Sequence, residues 1–86
     1  MTPDEQILIC AVRYALGRMS YIVGIVCDYV KSKRNELSEN CKNIIIKDIE
    51  ESVEYHHRIG YTVGMECDER DWMDLLEILK QEKRAE

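Results

Sequence analysis

The sequence predicts an all-α fold, a small bundle of about four helices that is completed by homo-oligomerisation. Four segments have apolar residues at helical spacing, and each of them follows a typical helix N-terminal signal. The 86 residues form one domain, positions 1–86, which buries only roughly 60% of the surface that its unfolded chain exposes. So short a chain must be well packed, or it gains contacts from a second subunit.

The first predicted helix starts after Thr2 and ends at about residue 16, before Gly17. Thr2 caps the helix and Glu5 completes a capping box. The apolar residues, which point in nearly every direction, are Ile7, Leu8, Ile9, Cys10, Val12 and Leu16. Because a helix that is apolar on all sides is typically buried, we expect it either to be wrapped by the other three helices or to be completed by a second subunit.

The second predicted helix covers about residues 21–34, with Ser20 as its N-cap. Gly24 in the helix interior predicts a close approach of the backbone to a neighbour. A strand over residues 21–26 is the alternative, but the segment lacks a regular alternation of apolar and polar residues, which favours the helix. The expected buried face consists of Ile22, Ile25, Val26, Tyr29 and Val30.

Two further helices are expected in the acidic second half. Ser38 caps the third helix and Gly60 ends it, with Lys42 among the charged residues of its polar side. Asp68 caps the fourth helix, and Cys67 packs on Trp72 as a hydrophobic staple. The linker over residues 61–65 is expected to lie against the core. The apolar stripes are Ile45, Ile46, Ile49 and Val53 in the third helix, and Trp72, Leu75, Leu76 and Leu79 in the fourth.

Charge and composition exclude several classes of function. The net charge of −5 argues against general nucleic-acid binding, which needs a basic surface. Residues 1–35 carry five basic and three acidic side chains, whereas residues 36–86 carry seven and fourteen, so an anionic ligand is expected on the first half. No apolar run is long enough for a membrane span and no targeting motif is present, which predicts a cytoplasmic protein. The cysteines expected to be reduced, small apolar residues are Cys10, Cys27, Cys41 and Cys67.

The sequence predicts neither an enzyme nor a metal or cofactor site. It has no nucleophile elbow and no glycine-rich phosphate loop. His56 and His57 are adjacent, so on a helix they point about 100° apart and cannot share one metal ion without distortion. Helix capping accounts for most of the carboxylates around the fourth helix, which are Glu66, Asp68, Glu69, Asp71 and Asp74.

A cluster of arginine, tyrosine and serine side chains is the candidate binding site. Arginine offers a planar fork of donors to phosphate or carboxylate, and tyrosine offers a stacking face. An anion would also be favoured near the start of the second helix. The predicted ligand- or partner-binding residues are Arg13, Tyr14, Arg18, Ser20 and Tyr21. The alternative is that Arg13 pairs with an acidic residue of the third or fourth helix and that the tyrosines belong to the core.

The segments AVRYALGRMSYIV, VCDYV, DIEESVE and ECDERDW resemble those of a family of small proteins encoded in bacteriophages and prophages. The most specific part of the resemblance is the segment from Arg13 to Tyr21, and Cys67-Asp68 with Trp72 is the second. The resemblance covers most of the chain.

The resemblance implies a phage accessory protein that acts on the host. The favoured expectation is an inhibitor that occludes a host defence protein, such as a nucleic-acid-guided nuclease, because an acidic surface can imitate nucleic acid against a basic partner. The first alternative is an oligomeric sponge for a phosphate-bearing nucleotide signal, with Arg13 and Arg18 on phosphates and Tyr14 or Tyr21 on the base. The second is a structural or regulatory phage component.

Overall fold

A computed structural model describes residues 1–16, 21–60 and 65–85, except the side chains of residues 21, 65–68 and 82–85. Its helices are α1 (Pro3–Leu16), α2 (Tyr21–Lys33), α3 (Glu39–Ile59) and α4 (Met65–Ala85), with a short 3₁₀ turn at Arg34–Glu36 between α2 and α3. No strand occurs in these three ranges, so the all-α prediction is confirmed. The alternative strand over residues 21–26 is wrong, because these residues begin α2.

The four helices form a square bundle in which each helix packs on two neighbours. α1 packs against α2 and α3, and α4 packs against the same two helices, so that α1 and α4 lie diagonally opposite each other. The most deeply buried side chains come from all four helices. The buried apolar core consists of Leu8, Ile9, Val12, Ala15, Val23, Val26, Cys27, Val30, Cys41, Ile45, Ile46, Ile49, Trp72, Leu75, Leu76 and Leu79.

Local signals predicted the start of α1 and both ends of α3. The Glu5 N–H donates to Thr2 Oγ1 at 3.2 Å and the Thr2 N–H donates to Glu5 Oε1 at 3.1 Å, which is the expected capping box. The Ser38 hydroxyl accepts from the Cys41 N–H at 3.2 Å. α3 ends before Gly60, whose φ of 85° lies in the left-handed region that favours glycine.

Three expectations about buried faces are wrong. The buried face of α2 contains Val23 and Cys27 in place of Ile25 and Tyr29. The side of α2 that packs into the bundle is therefore not the side that was expected. α1 is not wrapped by the other helices, since Ile7 on its outer side is 68% exposed. Lys42 is buried, at 5% exposed, although it was expected on the polar side of α3.

α4 begins earlier than expected. It starts at Met65, so Asp68 lies within the helix and is not its cap. The predicted apolar stripe of α4, from Trp72 to Leu79, is nevertheless buried in the core. The Cys67 staple, the cap at Ser20 and the packing of residues 61–64 fall outside the described parts of the chain.

Gly24 of α2 does not mark a close contact between backbones. A Cβ atom at this position would lie 3.9 Å from Oδ2 of Asp71 on α4, an ordinary van der Waals distance. The glycine therefore faces α4, but the packing leaves room for a small side chain, so the predicted close approach of the backbone is not found.

The Glu5 carboxylate connects the starts of α1 and α3. Its Oε1 accepts from the N–H of Thr2, and its Oε2 accepts from the N–H of Ser38 at 2.7 Å. These hydrogen bonds, the one from Ser38 first, lower the pKa of Glu5 from 4.5 to about 2. Nearby, burial raises the pKa of the Cys41 thiol to about 11, and the charge of Glu5 adds to this effect.

We expect acid to destabilise the bundle through Glu5. Because the unfolded chain binds a proton at Glu5 more readily than the folded chain does, the contribution of Glu5 is complete above about pH 4.5 and is lost as the pH falls toward about 2. Glu5→Gln should lower the melting temperature at neutral pH and flatten its dependence on pH in this window.

Thermal denaturation followed by circular dichroism between neutral pH and pH 2 measures this effect. Glu77→Gln, which removes an exposed carboxylate from α4, is the control for the change in net charge. Identical pH profiles for the wild type and Glu5→Gln would contradict the assignment.

Candidate binding surfaces

Arg13, the first of the predicted binding residues, is engaged with a carboxylate of its own chain. Its Nε donates to Oδ2 of Asp48 on α3 at 2.7 Å, and this hydrogen bond raises the pKa of Arg13. The Arg13 side chain is 60% exposed and that of Asp48 15% exposed. Arg13 therefore pairs with an acidic residue of the third helix, as the alternative interpretation of the sequence predicted.

Tyr14 lies on a different side of α1 from Arg13. It is 55% exposed, so the expectation that the tyrosines belong to the core is wrong for Tyr14. Adjacent helical residues point about 100° apart, and while Arg13 turns toward α3, Tyr14 lies on the side that faces away from the core. Arg18 and Ser20 fall outside the described residues, and for Tyr21 only the backbone, at the start of α2, is described.

A shallow groove of about 280 Å³ lies beside Arg13. Most of the groove is formed by apolar or thiol-bearing side chains, with Gln6 and Arg13 as the polar ones. A phosphate group placed here would have to compete with Asp48 for the guanidinium. The residues around the groove are Met1, Gln6, Ile9, Cys10, Arg13 and Ile44.

The outer side of the α1–α2 pair is a second candidate surface, which the sequence did not predict. Ile7 and Tyr14 are exposed on α1, and Ile25 and Tyr29 are exposed on α2, at 68%, 55%, 58% and 53%. A groove of about 200 Å³ joins Ile7 and Ala11 of α1 to Tyr29 of α2. We call this surface the hairpin face, and define it as Ile7, Cys10, Ala11, Tyr14, Ile22, Ile25 and Tyr29.

The pattern that reveals the hairpin face is present in the sequence. Its α1 residues follow the spacing i, i+3, i+4, i+7 from residue 7 to residue 14, and its α2 residues follow i, i+3, i+7 from residue 22 to residue 29. Each set is a second apolar stripe on a helix whose other side is also apolar. Sequence alone does not distinguish the stripe that faces the core from the stripe that faces outward.

The acidic side chains of α3 and α4 differ in how they are neutralised. On α3, Glu51 pairs with Lys47 and Glu54 with Arg58, and Glu50 pairs with Lys80 of α4 at 2.8 Å. On α4, three carboxylates are spaced by three residues along the helix. We call this set the acidic row, and it consists of Asp71, Asp74 and Glu77.

The acidic row is not neutralised by ion pairs of the bundle. None of the ion pairs among the described side chains includes a member of the row. Glu77 instead accepts a hydrogen bond from the neutral amide of Gln81 at 3.2 Å. Asp74 and Glu77 are exposed, so their negative charge faces the solvent, whereas Asp71 is partly buried beside Gly24 of α2.

The two histidines point to different partners. The His56 ring lies 2.8 Å from the Ser52 carbonyl oxygen through Nδ1, whereas His57 contacts Glu69 of α4. This separation agrees with the geometry expected for adjacent helical residues. Within the described residues, no group of three or more potential metal ligands is close enough to hold an ion.

Three of the four cysteines are described, and none of these three forms a disulfide. Cys27 and Cys41 are buried, as expected for small apolar residues, but Cys10 is exposed, between the groove beside Arg13 and the rest of the hairpin face. Cys67 falls outside the described side chains. No helix in the described ranges is both long enough and apolar enough to cross a membrane.

Comparison with known proteins gives no match for this chain among protein families, curated proteins or solved structures. The resemblance to small phage proteins and the function that it implies therefore remain predictions.

We expect Arg13 and Asp48 to behave as a coupled pair. Arg13→Ala and Asp48→Asn should each lower the melting temperature slightly, and the double variant should be little worse than either single variant. The coupling should be small and should decrease with added salt, since Arg13 is mostly exposed. A double-mutant cycle by thermal denaturation measures it, and strictly additive effects at low salt would contradict the pairing.

Proposed function

We propose that this protein acts by binding a partner protein and not by catalysis. Its role would be that of a phage-encoded accessory protein that works in the host cytoplasm as a homo-oligomer and inhibits a host defence protein. The observation that carries this proposal is the acidic row of α4, whose carboxylates have no ion-pair partners among the described side chains of the bundle.

The spacing of the acidic row supports a basic partner. Residues that are three apart on a helix rise about 4.5 Å along its axis and turn by about 60°, so Asp74 and Glu77 present two neighbouring carboxylates on the exposed surface of α4. A row of carboxylates at this spacing is complementary to arginine and lysine side chains that normally hold nucleic acid. Binding of the row to such a surface would exclude the nucleic acid from it.

The distribution of charge also supports binding of a basic partner through α4. The second half of the chain has twice as many acidic as basic side chains. The carboxylates of α3 are already paired with lysine or arginine, so they attract a basic partner less strongly than the acidic row does. We therefore assign the contact with the partner to α4.

The nucleotide sponge is the weaker of the two proposals. A sponge needs arginine side chains that are available to phosphate, and the Nε of Arg13 is held by Asp48. An increase in melting temperature with one member of a panel of cyclic nucleotides would nevertheless favour the sponge, because a ligand that binds only the folded chain stabilises it.

The inhibitor proposal predicts that reversal of charge in the acidic row abolishes protection of a phage. The chain would be expressed in bacteria that carry a nucleic-acid-guided nuclease, and plaques of a targeted phage would be counted. The wild type should raise the plaque count, and Asp74→Lys combined with Glu77→Lys should lower this gain at least about tenfold, because two attractive contacts with the basic partner become repulsive.

The matched control is Glu51→Lys combined with Glu54→Lys, which makes the same change in net charge on α3. The control should retain most of the protection, and circular dichroism should show that both variants are folded. An equal loss of protection in both variants, or no protection by the wild type against any nuclease tested, would contradict the proposal.

A further inference from the structure

We propose that the hairpin face is the surface at which two copies of this chain associate. The proposal names the contact surface of the homo-oligomer included in the proposed function, and it does not depend on the acidic row. It rests on the exposure of the face, its area, its charge and the position of its two helices in the bundle.

The hairpin face consists of uncharged side chains on two adjacent helices, with Asp4 at the edge of the groove between them. None of its seven residues is charged, although a third of the chain, 34%, consists of charged residues. Tyr29 of α2 borders the same groove as Ile7 and Ala11 of α1, which places the two stripes side by side. An apolar surface that spans two helices is typical of an interface, whereas a single exposed apolar residue is common on any surface.

The area of the face suits a small dimer. The exposed parts of Tyr14 and Tyr29, each slightly more than half of the side chain, amount to roughly 100 Å² apiece. Ile7 and Ile25, which are more exposed, add a similar area. The four side chains thus supply about 800 Å² for two copies, and the surrounding side chains bring the total near the roughly 1,000 Å² of a specific interface.

The charge of the chain favours association by this face over association by α4. Residues 1–35, which include the face, have a small excess of basic side chains, whereas the rest of the chain is strongly acidic. Two copies that meet through α1 and α2 keep the acidic α3 and α4 apart, while contact through α4 would bring two acidic rows together. The hairpin faces therefore meet without this repulsion.

The edge of the face does not suit a lipid surface. Helices that lie on anionic membranes carry an excess of lysine and arginine beside their apolar stripe. Here the edge has Asp4 and Asp28 together with Lys33, whose Nζ lies 5.9 Å from the centre of the Tyr29 ring. A second copy of the chain presents the same mixed edge and the same apolar centre, as a two-fold interface requires.

In the dimer, α1 and α2 of one copy pack on α1 and α2 of the other. The groove between Ile7, Ala11 and Tyr29 receives an apolar side chain from the second copy. Each copy then covers the outer side of α1 in its partner. The acidic rows lie on α4, which packs on the far side of α2 and is diagonally opposite α1, so both remain exposed.

Sedimentation velocity over a range from low micromolar to several hundred micromolar protein tests the proposal. The wild type should approach twice the 10.1 kDa of one chain as the concentration rises. Ile7→Glu combined with Ile25→Glu should sediment as a monomer across the range, since it places two like charges on each side of the contact. Ile7→Ser combined with Ile25→Ser is the milder variant, and its dissociation constant should rise at least tenfold.

The matched control is Tyr55→Glu combined with Ile59→Glu. These two residues of α3 are also exposed, at 55% and 60%, but they lie outside the hairpin face, so the control should dimerise as the wild type does. A wild type that stays monomeric, a dimer that survives both hairpin variants, or equal disruption by the control would overturn the proposal. The acidic-row variant should still dimerise, so failure of the inhibitor proposal is distinguishable from failure of this one.

Discussion

α1 contacts its neighbours along two flanks, with α2 on one side and α3 on the other. Leu8, Val12 and Ala15 fill the space between these flanks, and α4 lies too far across the bundle to reach the outer side of the helix. The outer side carries Ile7, Cys10 and Tyr14, so the helix has more apolar surface than its own chain covers. Because of this excess the hairpin face is apolar, and we therefore propose that two chains associate through it.

The Glu5 carboxylate determines which side of α1 faces outward. Because it accepts from the backbone N–H of Thr2 and of Ser38, it holds the first turn of α1 against the first turn of α3. A rotation of α1 that buried Ile7 would break the charge-assisted hydrogen bond between Ser38 and Glu5 and leave the N-terminus of α3 less satisfied, whereas the capping box within α1 would be kept. At the other end of α1, the Ser52 hydroxyl donates to the Leu16 carbonyl oxygen at 3.5 Å.

Much of the fold could be predicted from local chemistry. The capping box at Thr2, the cap at Ser38 and the left-handed Gly60 each involve groups within a few residues, so sequence determines them. The apolar stripes of α3 and α4 were predicted correctly because both helices are polar on the opposite side, which leaves a single choice of face.

The error in the buried face of α2 occurs because that condition fails. α2 has apolar residues on two sides, and only its packing against α1 and α4 makes Val23 buried and Ile25 exposed. The cap signal at Asp68 was overridden by a helix that begins at Met65. In the candidate site, a carboxylate partner for Arg13 was one of two alternatives, but Asp48 is 35 residues away and spacing could not identify it.

The two proposed surfaces are compatible within one assembly. Dimerisation through α1 and α2 leaves the acidic row of each copy exposed, so one dimer presents two rows to basic partners. Two rows on one rigid particle would bind a partner with two basic sites more tightly than a single chain does. In this proposal the apolar excess of α1 serves dimerisation and the acidic excess of α4 serves binding of the partner.

The rate at which a thiol reagent modifies Cys10 tests most directly whether the outer side of α1 is covered by a second copy. Cys10 lies on the hairpin face, Cys27 and Cys41 are buried, and Cys67→Ala removes the remaining thiol. With reagent in constant excess, the account predicts that the modification rate of Cys10 falls as protein concentration rises. A rate that is the same at every protein concentration would contradict it.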